Sequence, residues 1–331
     1  MRIRALRLKT VLASAVLTAG VALVSAPVAS AGSAGSAGTP DGAVQSPQLG
    51  QFTQAQVEKF WTPERLRGAR PVTQNAPKAA ARPDNASPVL TPGGDQFGNA
   101  QAARPYTSDF NTRVTGKIFF LNPRDGLTYV CSGSVVNSTG KSVVATAAHC
   151  VFQGGAGQQL WSQNLIFIPS YDNNSRPLGT WSAATFWIPT TYFNHGNDGF
   201  THEDDVATVA IAAQGASKIT NVVGGLGWVS TNSGVINGWD THGYPQELYG
   251  GQNQLRCIGN GRDAGGFNGD TYLFTNNCVA FGGWSGGPVI NGSNQLLAVT
   301  SGSDRSTNSF YARAASNTWI PVLNAAQAAG F

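Results

Sequence analysis

A serine flanked by paired glycines has the setting a nucleophile needs: Gly282-Gly283-Trp284-Ser285-Gly286-Gly287-Pro288, followed by the apolar Val289-Ile290. Glycines let a backbone turn sharply and let a second chain come close. The N–H groups of such a turn can converge on a developing oxyanion. Many glycine-rich turns hold a serine, so the motif needs partners. Ala145-Thr146-Ala147-Ala148-His149-Cys150 supplies an imidazole at the end of a run of small residues. A general base has to be fixed within hydrogen-bond reach of its nucleophile. Cys131 lies one hairpin upstream in Cys131-Ser132-Gly133-Ser134-Val135-Val136, and a Cys131–Cys150 bridge would hold the histidine loop rigid. The third member is a carboxylate that orients the imidazole and stabilises its charged form. Asp204-Asp205-Val206-Ala207 opens an apolar run; Asp205 directly precedes it and is preferred, with Asp204 and Asp198 as alternatives. His149, Asp205 and Ser285, in that chain order, form one constellation for acyl transfer.

The remaining chemistry-bearing residues point elsewhere less strongly. His202-Glu203-Asp204-Asp205 offers metal-ligand types. Catalytic zinc takes two or three well-spaced histidines and an open position, so a structural or surface role is the better reading there. His195 and His242 are read as ordinary residues. The reading calls for no metal and no organic cofactor.

The elements that must position these residues follow from composition and punctuation. The chain has 331 residues, 41% hydrophobic, with 41 glycines and only 11% charged residues, against about 25% charged in an ordinary globular protein. A charged coiled coil and a solvating polyelectrolyte are excluded. Up to residue 108 there are 11 Lys/Arg against 5 Asp/Glu; beyond it there are 10 against 12. The basic excess thus sits ahead of the chemistry, and no basic stripe remains for nucleic acid. From Asp109 onward, short apolar runs such as Ile118-Phe119-Phe120, Val143-Val144-Ala145, Leu165-Ile166-Phe167-Ile168, Val206–Ile211 and Leu296–Thr300 alternate with Gly, Asn, Asp and Pro. That is the pattern of an antiparallel sandwich or barrel. The tail from Thr318 reads as a C-terminal helix with Pro321 near its first turn.

The N-terminus reads as a secretory signal peptide over residues 1–31. Arg2, Arg4, Arg7 and Lys9 precede an apolar run to Val24, and Ala29-Ser30-Ala31 supplies a cleavage site. The run of about 14 residues is short of the roughly 20 that span a bilayer. Residues 32–108 are rich in Ala, Gly, Pro, Gln and Ser and are expected to be largely without fixed structure. Thr62-Pro63-Glu64 within them is a helix start, and Phe60 and Trp61 beside it are candidates for docking. Four cysteines in an exported chain imply two disulfides among Cys131, Cys150, Cys257 and Cys278, with three connectivities open.

With these blocks in place, residues 110–331 resemble the chymotrypsin-like serine peptidases, and more closely their secreted bacterial trypsin-like and glutamyl-endopeptidase-like branch. Thr146-Ala147-Ala148-His149-Cys150, Ser285-Gly286-Gly287-Pro288, Cys131–Val136 and Asp205-Val206-Ala207 carry the resemblance. Trp61-Thr62-Pro63-Glu64-Arg65 looks like the prosegments of actinobacterial secreted peptidases. The resemblance implies an all-β fold of two six-stranded antiparallel barrels with a C-terminal helix, behind the signal peptide and the 32–108 prosegment. It implies His149 as base and acid, Asp205 as its orienting partner and Ser285 as nucleophile. Gly283 and Ser285 would supply the oxyanion hole, and Ser301-Gly302-Ser303 would pair with substrate and line the first pocket. The expected partners are peptide or protein substrates and the chain's own prosegment, for an extracellular monomer that contacts no membrane once its leader is removed.

Three departures bear on this. Trp284 stands where animal members carry the acid that pairs with a new N-terminus, so no single mature N-terminus is required. Val279 stands where trypsin carries its selectivity acid. Asp304 and Arg305 near the pocket favour opposite substrate charges and leave the first-pocket preference open. Two other readings are weighed: a catalytically inactive binding protein on the same fold, against which the intact triad counts, and a serine esterase. Gly283-Trp284-Ser285-Gly286-Gly287 matches the esterase elbow by letter only, in a β rather than strand–turn–helix setting.

Overall fold

The apolar runs of the sequence are strands in the computed structural model, which describes residues 42–47, 53–72, 99–155, 158–196, 203–229, 235–264, 272–275, 278, 280–303, 309–313 and 318–331. The signal-peptide stretch, Asp198, His202, Val279, Asp304 and Arg305 lie outside these residues. Among the described residues no helix is long and apolar enough to cross a membrane.

In chain order the first elements are β1 (Ala43–Gln45), α1 (Gln54–Phe60), α2 (Pro63–Gly68), β2 (Arg70–Pro71) and β3 (Asn99–Gln101). Then come α3 (Phe110–Val114), β4 (Thr115–Leu121), β5 (Thr128–Val136), β6 (Val143–Thr146), β7 (Gln163–Pro169), β8 (Trp181–Pro189), α4 (Thr190–His195) and β9 (Ala207–Ile211). The remainder holds α5 (Ile219–Val223), β10 (Gly227–Trp228), β11 (Val235–Gly243), β12 (Leu255–Ala264), β13 (Tyr272–Thr275), β14 (Pro288–Ile290), β15 (Gln295–Ser303), β16 (Ser309–Arg313) and α6 (Trp319–Ala328). Strands β8-β7-β4-β5-β6-β9 pair in that order and close through β8–β9 into a six-stranded antiparallel barrel. Strands β15-β14-β11-β12-β13-β16 close in the same way through β15–β16. The expected pair of barrels and the C-terminal helix are therefore present.

Alternation along the strands divides the side chains between two faces. Ile118, Phe120, Val144, Phe167, Phe186 and Val209 fill the first barrel. Trp239, Leu273, Val289, Ala298 and Tyr311 form a cluster in the second. A third cluster joins the barrels: Val136, Val143 and Ala210 meet Ile290, Leu296 and Val299, with Trp319, Val322 and Leu323 of α6 packed among them. Lys117 on β4 is also buried between the two halves. Its Nζ donates to the Gly251 carbonyl at 2.8 Å and lies 4.9 Å from the Phe119 ring and 5.1 Å from Tyr171. Burial holds its pKa down to about 7.

Part of the stretch expected to lack structure is ordered. Residues 43–45 pair with β8, 70–71 with β5 and 99–101 with β12. Thr53 starts α1 with a reciprocal cap to Gln56, and Thr62 caps α2 ahead of Pro63, at the expected start. The cause lies outside the local composition. The outward-facing Phe119, Ile166 and Ile168 make an apolar patch on the first barrel, and Val57, Trp61, Leu66 and Ala69 cover it. A patch of this kind is costly to leave in water. Trp61 is buried and its Nε1 donates to the Asn164 carbonyl at 2.7 Å.

Candidate active site

Strand β6 delivers the histidine. Val143–Thr146 is buried on both faces, and Ala147 and Ala148 are small enough to let the chain turn into a single 3₁₀ turn at Ala148–Cys150. The Cys131–Cys150 disulfide ties this turn to β5, and a second disulfide joins Cys257 and Cys278. Gln153 donates from its side-chain amide to the His149 carbonyl at 2.7 Å. His149 is fully buried.

Asp205 meets His149 twice. One carboxylate oxygen accepts the His149 backbone N–H at 3.0 Å, and the other lies 2.8 Å from Nδ1. Ser301 at the end of β15 donates its hydroxyl to that second oxygen at 2.7 Å. Burial alone would raise the Asp205 pKa, but the His149 charge and these hydrogen bonds outweigh it and hold the carboxyl below its usual value. An ionised carboxylate in this position fixes the imidazole orientation. The neighbouring Asp204, an alternative in the sequence, instead faces the second histidine, with His195 Nε2 at 2.8 Å from its carboxylate. That hydrogen bond raises the His195 pKa against partial burial.

The serine loop is pinned from both barrels. The Ser285 carbonyl accepts the Ser132 N–H at 2.7 Å, and the Gly286 N–H donates to the Thr300 carbonyl at 2.7 Å. Gly286 has φ +78°, and a Cβ there would collide with Thr146 Oγ1 and the Ser132 carbonyl. Only glycine lets the nucleophile loop lie this close to the strand that delivers His149. Gly283 has φ +95°, and the Ser132 hydroxyl donates to its carbonyl at 2.8 Å, which orients the following peptide unit. Trp284 is buried against Gly243. Ser285 itself is 7% exposed.

The three residues read as pocket-lining divide. The Ser301 side chain is turned inward to Asp205, while Gly302 and Ser303 are half-buried and Ser303 donates to the Ala280 carbonyl at 2.6 Å. Ser132 and Gln153 were not singled out from the sequence, although Ser132 stands inside the cysteine block that was. The clustered donors Cys131, His149 and Cys150 among the described residues offer no thiolate to a metal, because the two sulfurs are bonded to each other. Glu203 and Asp204 are buried, in a structural rather than a surface setting.

Residues 103–320 match the family model described as Trypsin, and the chain belongs to that family. Solved structures agree. A protease named Anisep from Arthrobacter nicotinovorans is 27% identical, with a TM-score of 0.56 over 67% of this chain and 98% of that one. The thermostable serine protease AL20 from an extremophilic microorganism is 24% identical, with a TM-score of 0.55 over 67% and 99%. A Glu endopeptidase is 17% identical, with a TM-score of 0.55 over 72% and 100%. No curated protein matches the sequence. The fold is chymotrypsin-like, and family and structures together support a peptidase of the serine-protease type.

Proposed function

We propose that the chain is a secreted serine endopeptidase, made with a leader over residues 1–31 and a prosegment over 32–108 ahead of a catalytic domain over 109–331. The observation that supports this is the buried His149–Asp205 pair, tied to Ser301, with the glycine loop of Ser285 packed against Thr146 and Ala147 just ahead of the histidine. Ser285 Oγ attacks the scissile carbonyl while His149 Nε2 takes its proton. The oxyanion rests on the N–H groups of Gly283 and Ser285. His149 then gives its proton to the leaving amine, the C–N bond breaks, and the acyl group stays on Ser285. Water enters, His149 takes a proton from it, and collapse of the second tetrahedral state releases the acid and restores the serine. Asp205 holds the imidazole through both halves. The backbone of Ser301-Gly302-Ser303 pairs with the acyl side of the substrate. Two disulfides suit an oxidising, extracellular setting.

The test is digestion of a diverse peptide library by the secreted protein, read by mass spectrometry, beside Ser285→Ala. Cleavage by the parent and none by the variant is expected. Equal cleavage by a folded Ser285→Ala protein would overturn the assignment.

A further inference from the structure

A second histidine–carboxylate pair stands directly behind the first. Asp204 precedes Asp205 in the chain, and its carbonyl accepts the Val206 N–H at 2.9 Å, so residues 204–206 make one tight turn. The two carboxylates are 5% and 0% exposed, and each faces an imidazole at 2.8 Å: Asp204 the Nε2 of His195, Asp205 the Nδ1 of His149. Desolvated carboxylates on neighbouring residues repel, and each needs a proton-bearing partner. Glu203 beside them is buried too, and its carbonyl accepts the Thr318 hydroxyl just ahead of α6 at 3.0 Å.

Both ring nitrogens of His195 face acceptors. Nδ1 is 2.8 Å from the Gly196 carbonyl, while Nε2 is 2.8 Å from the Asp204 carboxylate. A carbonyl and an ionised carboxylate only accept hydrogen bonds, so this geometry uses a proton on each nitrogen, and a neutral imidazole has one. The ring is therefore held as imidazolium, and loss of a proton gives up one of the two contacts. The surroundings favour the charge: the Asp204 hydrogen bond raises the His195 pKa, burial opposes it, and the Gly196 carbonyl and the Asp204 and Glu203 charges add to the rise. Tyr192, one turn earlier on α4, meets the His195 ring edge-on at 5.5 Å. Burial, with the Asp205 and Asp204 charges, keeps that phenol neutral. The remaining cation at this place is Arg124 from the β4–β5 turn, which donates to the Gln153 carbonyl.

This clamp ends against both supports of His149. Asp205, next to Asp204, orients the ring, and Gln153 holds the His149 carbonyl at 2.7 Å. Gly154 and Gly155, which follow Gln153, lie directly on His195 and Gly196. A Cβ on Gly155 would stand 2.7 Å from the His195 carbonyl, and one on Gly196 only 2.0 Å from the Gly154 carbonyl. We infer that His195 is a positioning residue of the peptidase proposed above, on which reading this rests. As imidazolium it ties Asp204 to the Gly196 turn and so keeps Asp205 and Gln153 in register about His149. When its second proton leaves, that register loosens and turnover falls.

The test measures kcat and KM of the secreted protein on a chromogenic peptide from acid to alkaline pH, beside His195→Gln and His195→Arg, with a fluorophosphonate to label Ser285 in each. The parent rises as the general base is freed and falls on the alkaline side as His195 loses its proton. Glutamine does not titrate and cannot serve both acceptors as donor in the same geometry; it lowers kcat by about tenfold, leaves KM little changed and removes the alkaline fall. Arginine keeps the charge and several donors, restores most of kcat and also removes the fall. All three proteins keep the buried Lys117, so the difference reports residue 195. Nitrogen-15 NMR of the resting parent, with the ring assigned by its loss in the variants, reads the protons without turnover: both His195 nitrogens carry one at the ordinary midpoint of 6.5. An alkaline plateau in the parent, a fall that persists in both variants, or a neutral His195 ring below that midpoint would overturn the clamp and, with Ser285 labelled, leave the peptidase standing. Neither cleavage nor labelling by the folded parent would overturn both. If His195→Gln does not fold, the His195→Arg profile and the parent's NMR decide.

Discussion

Ser301→Ala removes one hydrogen bond from a fully buried carboxylate. Asp205 is fully buried and accepts from the His149 N–H, from Nδ1 and from the Ser301 hydroxyl. A hydrogen bond to a charged group contributes about 1.5–3 kcal/mol. The resting enzyme already has this bond, so stability at neutral pH falls by that amount. Only the part that strengthens as His149 becomes charged reaches the barrier. Since about 1.4 kcal/mol is tenfold in rate, the loss in kcat is capped at about a hundredfold, with KM little changed. The pH dependence has a fixed sign. The folded pKa of Asp205 lies below the ordinary value of 3.8, so its contribution is present above that value and is lost as pH falls through the folded pKa. The stability gap between parent and variant is therefore full at neutral pH and narrows on acidification. Urea unfolding at neutral and acid pH, with kcat on a chromogenic peptide, reads both quantities. A variant as stable as the parent at neutral pH, or a gap that widens in acid, would refute the reasoning.

Two further outcomes follow from the packing. Gly286→Ala forces a side chain into a positive-φ position against Thr146 and Ser132; it should cost about 2 kcal/mol or more and remove turnover, while Gly292→Ala, with open space around it, leaves both unchanged, as thermal unfolding and peptide assays will report. Lys117 has a folded pKa of about 7, below its unfolded value, so the unfolded chain binds more protons between the two and the parent gains stability as pH rises from about 7 toward 10. Lys117→Met should abolish that rise, and an unchanged slope in its unfolding curves would count against the buried amine as its source.

The candidate site was legible where its motifs are local. A histidine closing a run of small residues, a serine among glycines and an acid heading an apolar strand are each written in a few consecutive letters, as are the strands that carry them. The ordering of Ala43–Gln45, Arg70–Pro71 and Asn99–Gln101 was not, because each is a two- or three-residue strand defined by a distant partner. Their own composition reads as linker; the free edges that recruit them belong to β8, β5 and β12. The same holds for Ser301. Its neighbours mark a strand that lines a pocket, but the inward turn of its hydroxyl depends on Asp205, nearly a hundred residues away, being held at the same seam.

The cluster that joins the barrels also limits how the molecule can move. Val143 and Ala210 on one side, Leu296 and Val299 on the other, and Trp319 and Leu323 of α6 share a single packed volume. Parting the halves like a clamshell would expose all of it at once, a step comparable in cost to unfolding. Among the described residues the two barrels are thus packed as one body. Denaturation should run as one transition, and selection among substrates should fall to loop shape and the chemistry of the first pocket rather than to closure around the bound chain.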